Sequence, residues 1–144
     1  MKINRVLLKF RKGLLLTRQL KNIDKIILHH ACMNGSIEDV HHLHLSQGWA
    51  GIGYNYYIRV DGQVYKGRPL EYIPSHCAKN NASSIGICLE GDFRKVKPTE
   101  KQIESLKELV KYLKETFPNI KNVYNHRDLF KTLCPVVDLK KMIQ

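Results

Sequence analysis

The chain has 144 residues, enough for one domain with a sizeable buried core, and its apolar fraction of 43% is ordinary for a globular protein. No apolar run approaches the ~20 residues that a membrane-spanning helix needs, so the sequence predicts no transmembrane segment. The formal net charge of +11 favours polyanionic partners, among them nucleic acids and anionic cell-wall polymers. The basic residues are scattered rather than gathered into one block, which weakens the nucleic-acid interpretation.

Residues 1–20 are basic and partly apolar, and they could be mistaken for a targeting segment. Lys9, Arg11 and Lys12 interrupt the apolar stretches, and no small-residue cleavage site follows. We therefore expect an N-terminal arm packed on a domain of residues 21–144, and a protein made in the cytoplasm without a signal peptide. The cysteines form no C-x-x-C pair, which predicts free thiols rather than a zinc ribbon.

The first half of the chain predicts strands around one helix. Residues 25–30 are β-branched and apolar, which is typical of a short buried strand. Ser36 is placed to cap a helix that runs to about Gln47, where Gly48 stops it. Residues 54–60 and 63–66 form two strands, and Asp61-Gly62 between them predicts a hairpin.

The second half predicts a strand at 85–89, a long helix, a strand at 120–124 and a short helix at 138–142. Thr99 and Gln102 occupy capping-box positions at the start of the long helix. Apolar residues at helical spacing from Ile103 to Leu113 form its buried face. Alternating helices and strands with a hairpin predict a single α/β domain, in which helices flank a mixed central sheet.

Three residues with metal-binding side chains follow predicted strands. His29 ends one strand, His126 follows another, and Cys134 lies in a loop shortly after. Two imidazoles and a thiolate suit zinc, and three protein ligands leave a fourth position open, as in catalytic zinc sites. Such a site would hydrolyse an amide or ester. Spacing alone leaves the alternative open, because an isolated histidine is more often a core or surface residue.

Five segments occur in an order that resembles one known family. They are Ile26-Ile-Leu-His-His-Ala31, Gln47-Gly-Trp-Ala-Gly-Ile-Gly-Tyr-Asn-Tyr56, Asp61-Gly-Gln-Val-Tyr-Lys-Gly-Arg68, the stretch containing His76, Asn81 and Ser84-Ile-Gly-Ile87, and the closing Asn125-His-Arg-Asp128 with Thr132-Leu-Cys-Pro135. The pattern resembles the superfamily of peptidoglycan recognition proteins and bacteriophage amidase-type lysozymes. The resemblance covers nearly all of the chain after residue 20.

The resemblance implies a zinc-dependent N-acetylmuramoyl-L-alanine amidase with its metal in a groove at strand ends. The implied zinc ligands are His29, His126 and Cys134, and the implied catalytic residues are Tyr54 and Thr132. Phage amidases of this type often carry a lysine at the position of Thr132, whereas recognition proteins with amidase activity can carry a threonine. His76 and Asn81 match positions in the loop expected to line the groove, so we predict that they bind substrate.

The sequence is also compatible with other functions. A non-catalytic peptidoglycan-binding module is the main alternative, although the three ligand positions and Tyr54 are all present. The hypothesis of a nucleic-acid-binding protein rests on the net charge alone. His41 and His44 share a helix face and could hold a metal, but a packed or solvated face is the simpler interpretation. We expect a monomer that acts on the cell wall after release, as a phage or prophage endolysin would.

Overall fold

The computed structural model describes residues 1–144, and its centre is one six-stranded mixed sheet. The strands follow the spatial order β1-β4-β3-β5-β2-β6, and only the β3–β4 hairpin is antiparallel. Their bounds are Ile3–Asn4 (β1), Lys25–His30 (β2), Tyr56–Ile58 (β3), Val64–Lys66 (β4), Ser84–Leu89 (β5) and Asn122–Asn125 (β6). The predicted α/β fold with a mixed central sheet is confirmed.

Helices cover both faces of the sheet because side chains alternate along each strand. One face packs Leu28, Ile87 and Ile58 beneath α2 (Glu100–Thr116) and α3 (Leu139–Met142). The opposite face packs Tyr57 and Cys88 with apolar residues of α1 (Ile37–Ser46) and the arm. None of the helices combines the length and apolarity that crossing a bilayer requires.

The helix starts follow local capping rules. Ser36 and Asp39 form a complete capping box at α1, and Thr99 and Gln102 form another at α2. Each box satisfies backbone N–H groups that lack partners inside the first helical turn. The apolar face of α2 is buried as predicted, with its inner leucines fully inaccessible to solvent.

Two details differ from the sequence-based expectations. The strand predicted at 54–60 is only Tyr56–Ile58, because Tyr54 and Asn55 pair irregularly with Gly67, Arg68 and Gly86. The strand predicted at 120–124 begins two residues later and ends one residue later, at Asn122–Asn125.

Residues 1–20 run along the domain in a largely extended path. Ile3 and Asn4 add strand β1 to the sheet edge, and Arg11 donates its backbone N–H to the carbonyl of Ala50. The guanidinium of Arg11 also reaches the carbonyls of Leu45 and Trp49. These contacts tie the segment to α1 and the following loop, whereas a boundary at residue 20 stays a prediction.

Candidate metal centre and catalytic cleft

Parallel pairing brings the first two candidate ligands together. Strands β2 and β6 run side by side, and their register places Leu28 opposite Asn125. The next residue of each segment is a histidine: His29 is the penultimate residue of β2, and His126 directly follows β6. The two histidines therefore meet at the carboxyl ends of these strands. Their ring centroids are 4.4 Å apart. Carboxyl ends of parallel strands are a common location for ligand sites in α/β folds.

Arg127 holds the loop of the third candidate ligand, Cys134, against the same edge of the sheet. Its backbone N–H donates to the carbonyl of Cys134 at 2.8 Å, and its Nη1 donates to the carbonyl of Val136 at 2.7 Å. The Sγ of Cys134 consequently lies 3.8 Å from Nδ1 of His29. One donor atom from each of His29, His126 and Cys134 falls within 4.8 Å of the others.

These donors fit a metal ion. Nδ1 of His126 is buried and has no hydrogen-bond partner. Such an atom is costly unless something binds it. Nitrogen and sulfur ligands of a tetrahedral zinc lie roughly 3.5 Å apart, so small side-chain adjustments suffice. The set could therefore hold a metal.

Burial keeps all three groups uncharged when no cation is bound. Burial lowers the pKa of His126, and burial together with the neighbouring histidines lowers the pKa of His29 well below its usual value. Both imidazoles consequently offer neutral lone pairs at neutral pH. Burial also raises the pKa of Cys134 to about 11, so this thiol needs a nearby cation to ionise at neutral pH.

The three candidate ligands open into a cleft of about 520 Å³. Its walls carry both polar and apolar side chains, as is typical of ligand-binding clefts. The residues lining it are His29, His30, Ala31, Cys32, Trp49, Tyr54, Ser75, His76, Arg94, His126, Thr132, Leu133, Cys134 and Val136. Trp49 is 37% exposed and Leu133 is 78% exposed, so each presents an apolar surface to an incoming molecule.

Tyr54 lies beside the candidate ligands. Its ring centroid is 5.1 Å from that of His29 and 5.5 Å from that of His44. Burial raises the pKa of Tyr54 well above its usual value. The phenol therefore keeps its proton at neutral pH, which suits a hydrogen-bond donor and excludes a strong base.

Thr132 shapes the loop that carries Cys134. Its hydroxyl oxygen accepts a hydrogen bond from the Cys134 backbone N–H at 3.2 Å. The hydroxyl proton remains available to a group in the cleft, which Thr132 lines. Its catalytic role stays a prediction.

The two predicted substrate-binding residues occupy different places. His76 lies in the cleft wall, with Nδ1 at 2.7 Å from Nε2 of His29 and Nε2 at 3.0 Å from the hydroxyl of Ser84. Asn81 does not line the cleft, and its side-chain oxygen accepts the backbone N–H groups of His76 and Cys77. Substrate binding by either residue stays a prediction.

Three other histidines, His30, His41 and His44, are buried and serve packing. Nδ1 of His30 accepts the backbone N–H of Phe93. Nδ1 of His41 and Nδ1 of His44 accept the N–H groups of Ile52 and Gly53, and both rings are buried. The packed-face interpretation of the α1 histidines is confirmed, and these nitrogens hold the loop that leads to Tyr54.

Sequence reasoning missed Arg68, which lies beneath that loop and is 3% exposed. Its guanidinium donates to the carbonyls of Gly51, Ile52 and Ile73 and to the hydroxyl of Ser75. No carboxylate pairs with it. An arginine after a hairpin gives no hint of such burial, since the signal lies in contacts between distant segments.

Comparison with known proteins places this site in a family. The sequence profile described as N-acetylmuramoyl-L-alanine amidase matches residues 19–136. The chain belongs to the N-acetylmuramoyl-L-alanine amidase family. The matched range contains every candidate metal ligand and catalytic residue of this amidase, and the predicted enzyme class is confirmed.

Relatives of the amidase include phage and animal proteins. The endolysin of Enterobacteria phage K11 is 31% identical over 119 residues, which cover 79% of this chain and 78% of the phage protein. The amidase LysC from Clostridium intestinale URNW is 32% identical with a TM-score of 0.88, over 99% of this chain and 95% of that chain. Drosophila PGRP-LB is 30% identical with a TM-score of 0.75, over 84% of this chain and 78% of that chain.

Proposed function

We propose that this amidase is a zinc-dependent endolysin that cleaves the amide bond between N-acetylmuramic acid and L-alanine in peptidoglycan. The observation that carries the proposal is the buried, unpartnered Nδ1 of His126, which lies in one cluster with His29 and Cys134. An endolysin relative and an amidase of known structure that matches almost the whole chain support the same activity.

The donor set favours zinc over other metals. Two imidazoles and one thiolate match borderline-soft cations, whereas magnesium and calcium prefer oxygen ligands. Zinc held by these side chains would supply a Lewis acid for the scissile carbonyl and for the attacking water.

Two side chains that line the cleft, Tyr54 and Thr132, can act on an amide bound there. The protonated phenol of Tyr54 can donate to the oxygen on which negative charge develops. Thr132 can donate its hydroxyl proton from the opposite loop, since its oxygen already accepts from Cys134. Water adds to the lactyl carbonyl carbon, the C–N bond breaks, and the alanine nitrogen takes up a proton as it leaves.

Apolar surfaces at the rim suit the rest of the substrate. Trp49 presents part of its indole, which can stack on a sugar ring, and the exposed Leu133 lines the same cleft. Arg94 also lines the cleft, held by a bidentate ion pair with Asp92. It places positive charge where a substrate carboxylate can pass.

The decisive experiment combines product analysis with metal analysis on one sample. Purified peptidoglycan should yield new L-alanine amino termini without new reducing sugars, and the protein should contain about one zinc per chain. Chelation, or the substitution His29→Ala, should remove both zinc and activity. The matched control is His42→Ala, because His42 is an exposed histidine on α1.

Other outcomes would decide against the proposal. Full activity in thoroughly chelated protein would exclude a metal mechanism. Wall binding without cleavage by zinc-loaded protein would leave a peptidoglycan-binding module. We further propose that the protein is a monomer made in the cytoplasm and acts on the wall after release, which sedimentation and fractionation of lysing cells would test.

A further inference from the structure

His76 lines the cleft and contacts a candidate metal ligand. Its Nδ1 is 2.7 Å from Nε2 of His29, and the two rings meet edge to face at 4.8 Å between centroids. Its other nitrogen is engaged by the hydroxyl of Ser84 at 3.0 Å. With both nitrogens occupied, the ring has no free polar atom for a substrate.

This contact determines which nitrogen of His29 is free. Because Nε2 faces His76, only Nδ1 faces Cys134, at 3.8 Å from its sulfur. A neutral imidazole binds a metal through its unprotonated nitrogen. The proton of His29 must then be on Nε2, and Nδ1 of His76 must be the acceptor.

Several contacts hold the His76 ring in this position. It lies flat on Gly86 of β5, where an added Cβ would lie 2.7 Å from the ring. The side-chain oxygen of Asn81 accepts the His76 backbone N–H at 2.9 Å. Arg18, from the N-terminal segment, donates to the backbone carbonyl of Ser84 at 2.6 Å. The ring therefore packs on β5, and Asn81 and Arg18 hold the backbone of His76 and of Ser84.

We propose that His76 is a positioning residue that selects the metal-binding tautomer of His29, with Ser84 orienting the His76 ring. The proposal rests on the proposed metal site and gives His76 a role other than substrate binding. Hydrogen-bonded partners of this kind orient metal-ligating histidines and raise their affinity for the ion.

Two conservative substitutions separate this role from simple packing. His76→Asn keeps an acceptor at the position of Nδ1 and loses the contact with Ser84. His76→Gln keeps a polar atom near the position of Nε2 and loses the acceptor for His29, although glutamine is closer to histidine in volume. We expect a 10–100-fold weaker zinc affinity for His76→Gln and a change within about threefold for His76→Asn.

The measurement is the zinc dissociation constant from competition with a fluorescent chelator, alongside thermal unfolding of each metal-free variant. A purely structural role predicts the reverse order, in which His76→Asn loses more affinity in step with its lower melting temperature. That result would overturn the proposal. A wild-type protein that binds no zinc would instead refute the proposed metal site itself, and this inference with it.

A second measurement needs no variant. Imidazole ¹H–¹⁵N correlation spectra of the zinc-loaded protein report which nitrogen of each ring carries the proton. We expect protons on Nε2 of both His29 and His76. A proton on Nδ1 of His76 would reverse the hydrogen bond and overturn the assignment.

Discussion

At the residue scale, the site depends on side chains that burial keeps uncharged. Tyr54 keeps its proton because burial raises its pKa, and burial likewise lowers the pKa of His44 to about 4. Hydrogen bonds of buried neutral groups are electrostatically stronger than the same bonds in water, because the protein interior has a lower dielectric constant. Their protonation states follow from position in the fold, since neither residue type has an unusual pKa in water.

Tyr54→Phe tests the donor role directly. We expect kcat on peptidoglycan to fall about 100-fold, because one donor to the developing oxyanion is lost. Zinc content and unfolding temperature should stay near wild type, since the hydroxyl is not among the candidate ligands. The rate is measured by release of alanine amino termini. An unchanged rate would exclude Tyr54 from the catalytic machinery.

At the element scale, the buried side chain of Arg68 holds the loop between α1 and β3 by hydrogen bonds. The guanidinium donates hydrogen bonds to the carbonyls of Gly51 and Ile52, which would otherwise be buried without a donor. The imidazoles of His41 and His44 accept the N–H groups of Ile52 and Gly53. Side chains of Arg68, His41 and His44 therefore satisfy four buried backbone groups of a loop that is neither helix nor strand.

Arg68→Lys should destabilise this loop out of proportion to its chemical similarity. One ammonium cannot reach acceptors on both sides of the guanidinium, so we expect a loss of about 3 kcal/mol in the free energy of unfolding. Urea denaturation measures it. The matched control is Arg5→Lys, an exposed arginine, which should change stability by less than about 0.5 kcal/mol. Equal effects of both substitutions would contradict the role of Arg68.

Some of these features could be predicted from the sequence and others could not. The capping boxes at Ser36 and Thr99 and the hairpin at Asp61-Gly62 obey rules that span a few residues, so their positions could be predicted. The candidate ligands came from residue types at predicted strand ends, and the family resemblance supported the same three residues. The contacts of Arg68 and of His76 could not be predicted, because they join segments whose proximity depends on strand register across the whole sheet.

At the scale of the whole molecule, positive charge dominates. Twenty-four lysine and arginine residues face thirteen acidic ones, and the first acidic residue of the chain is Asp24. The segment that runs along the domain from β1 to residue 20 is therefore entirely cationic or neutral. A field of this sign attracts a wall that carries anionic polymers.

Added salt should consequently slow the attack on intact walls. The Debye length falls from about 30 Å at 0.01 M salt to about 10 Å at 0.1 M salt. Attraction between charges farther apart than this length is screened. We expect the rate of wall clearing to fall over this range, while cleavage of a small uncharged muramoyl-peptide changes little. Equal salt dependence for both substrates would show that steering is not involved.

Acid should destabilise the metal-free protein before its carboxyl groups titrate. Burial lowers the pKa of His41, and it lowers the pKa of His44 to about 4. Between pH 6.5 and 4 these histidines bind protons in the unfolded chain but not in the folded protein. Their contribution to the free energy of unfolding is therefore complete above pH 6.5 and is lost as the pH falls. Each such histidine contributes a slope of up to about 1.4 kcal/mol per pH unit.

Chemical denaturation of chelator-treated protein at several pH values measures this slope. His44→Asn keeps an acceptor near the Gly53 N–H and removes one titrating group, so the slope should become shallower. A stability that stays flat from pH 6.5 to 4 would contradict the burial of these histidines.

The pairing of β2 with β6 has a consequence for biosynthesis. His29 leaves the ribosome nearly a hundred residues before His126, and the edge that unites them forms only after β6 docks against β2. A nascent chain or a fragment clipped before residue 122 carries Tyr54 and one candidate ligand but lacks the other two. With the proposed metal site, hydrolytic activity therefore requires a chain synthesised at least as far as Cys134.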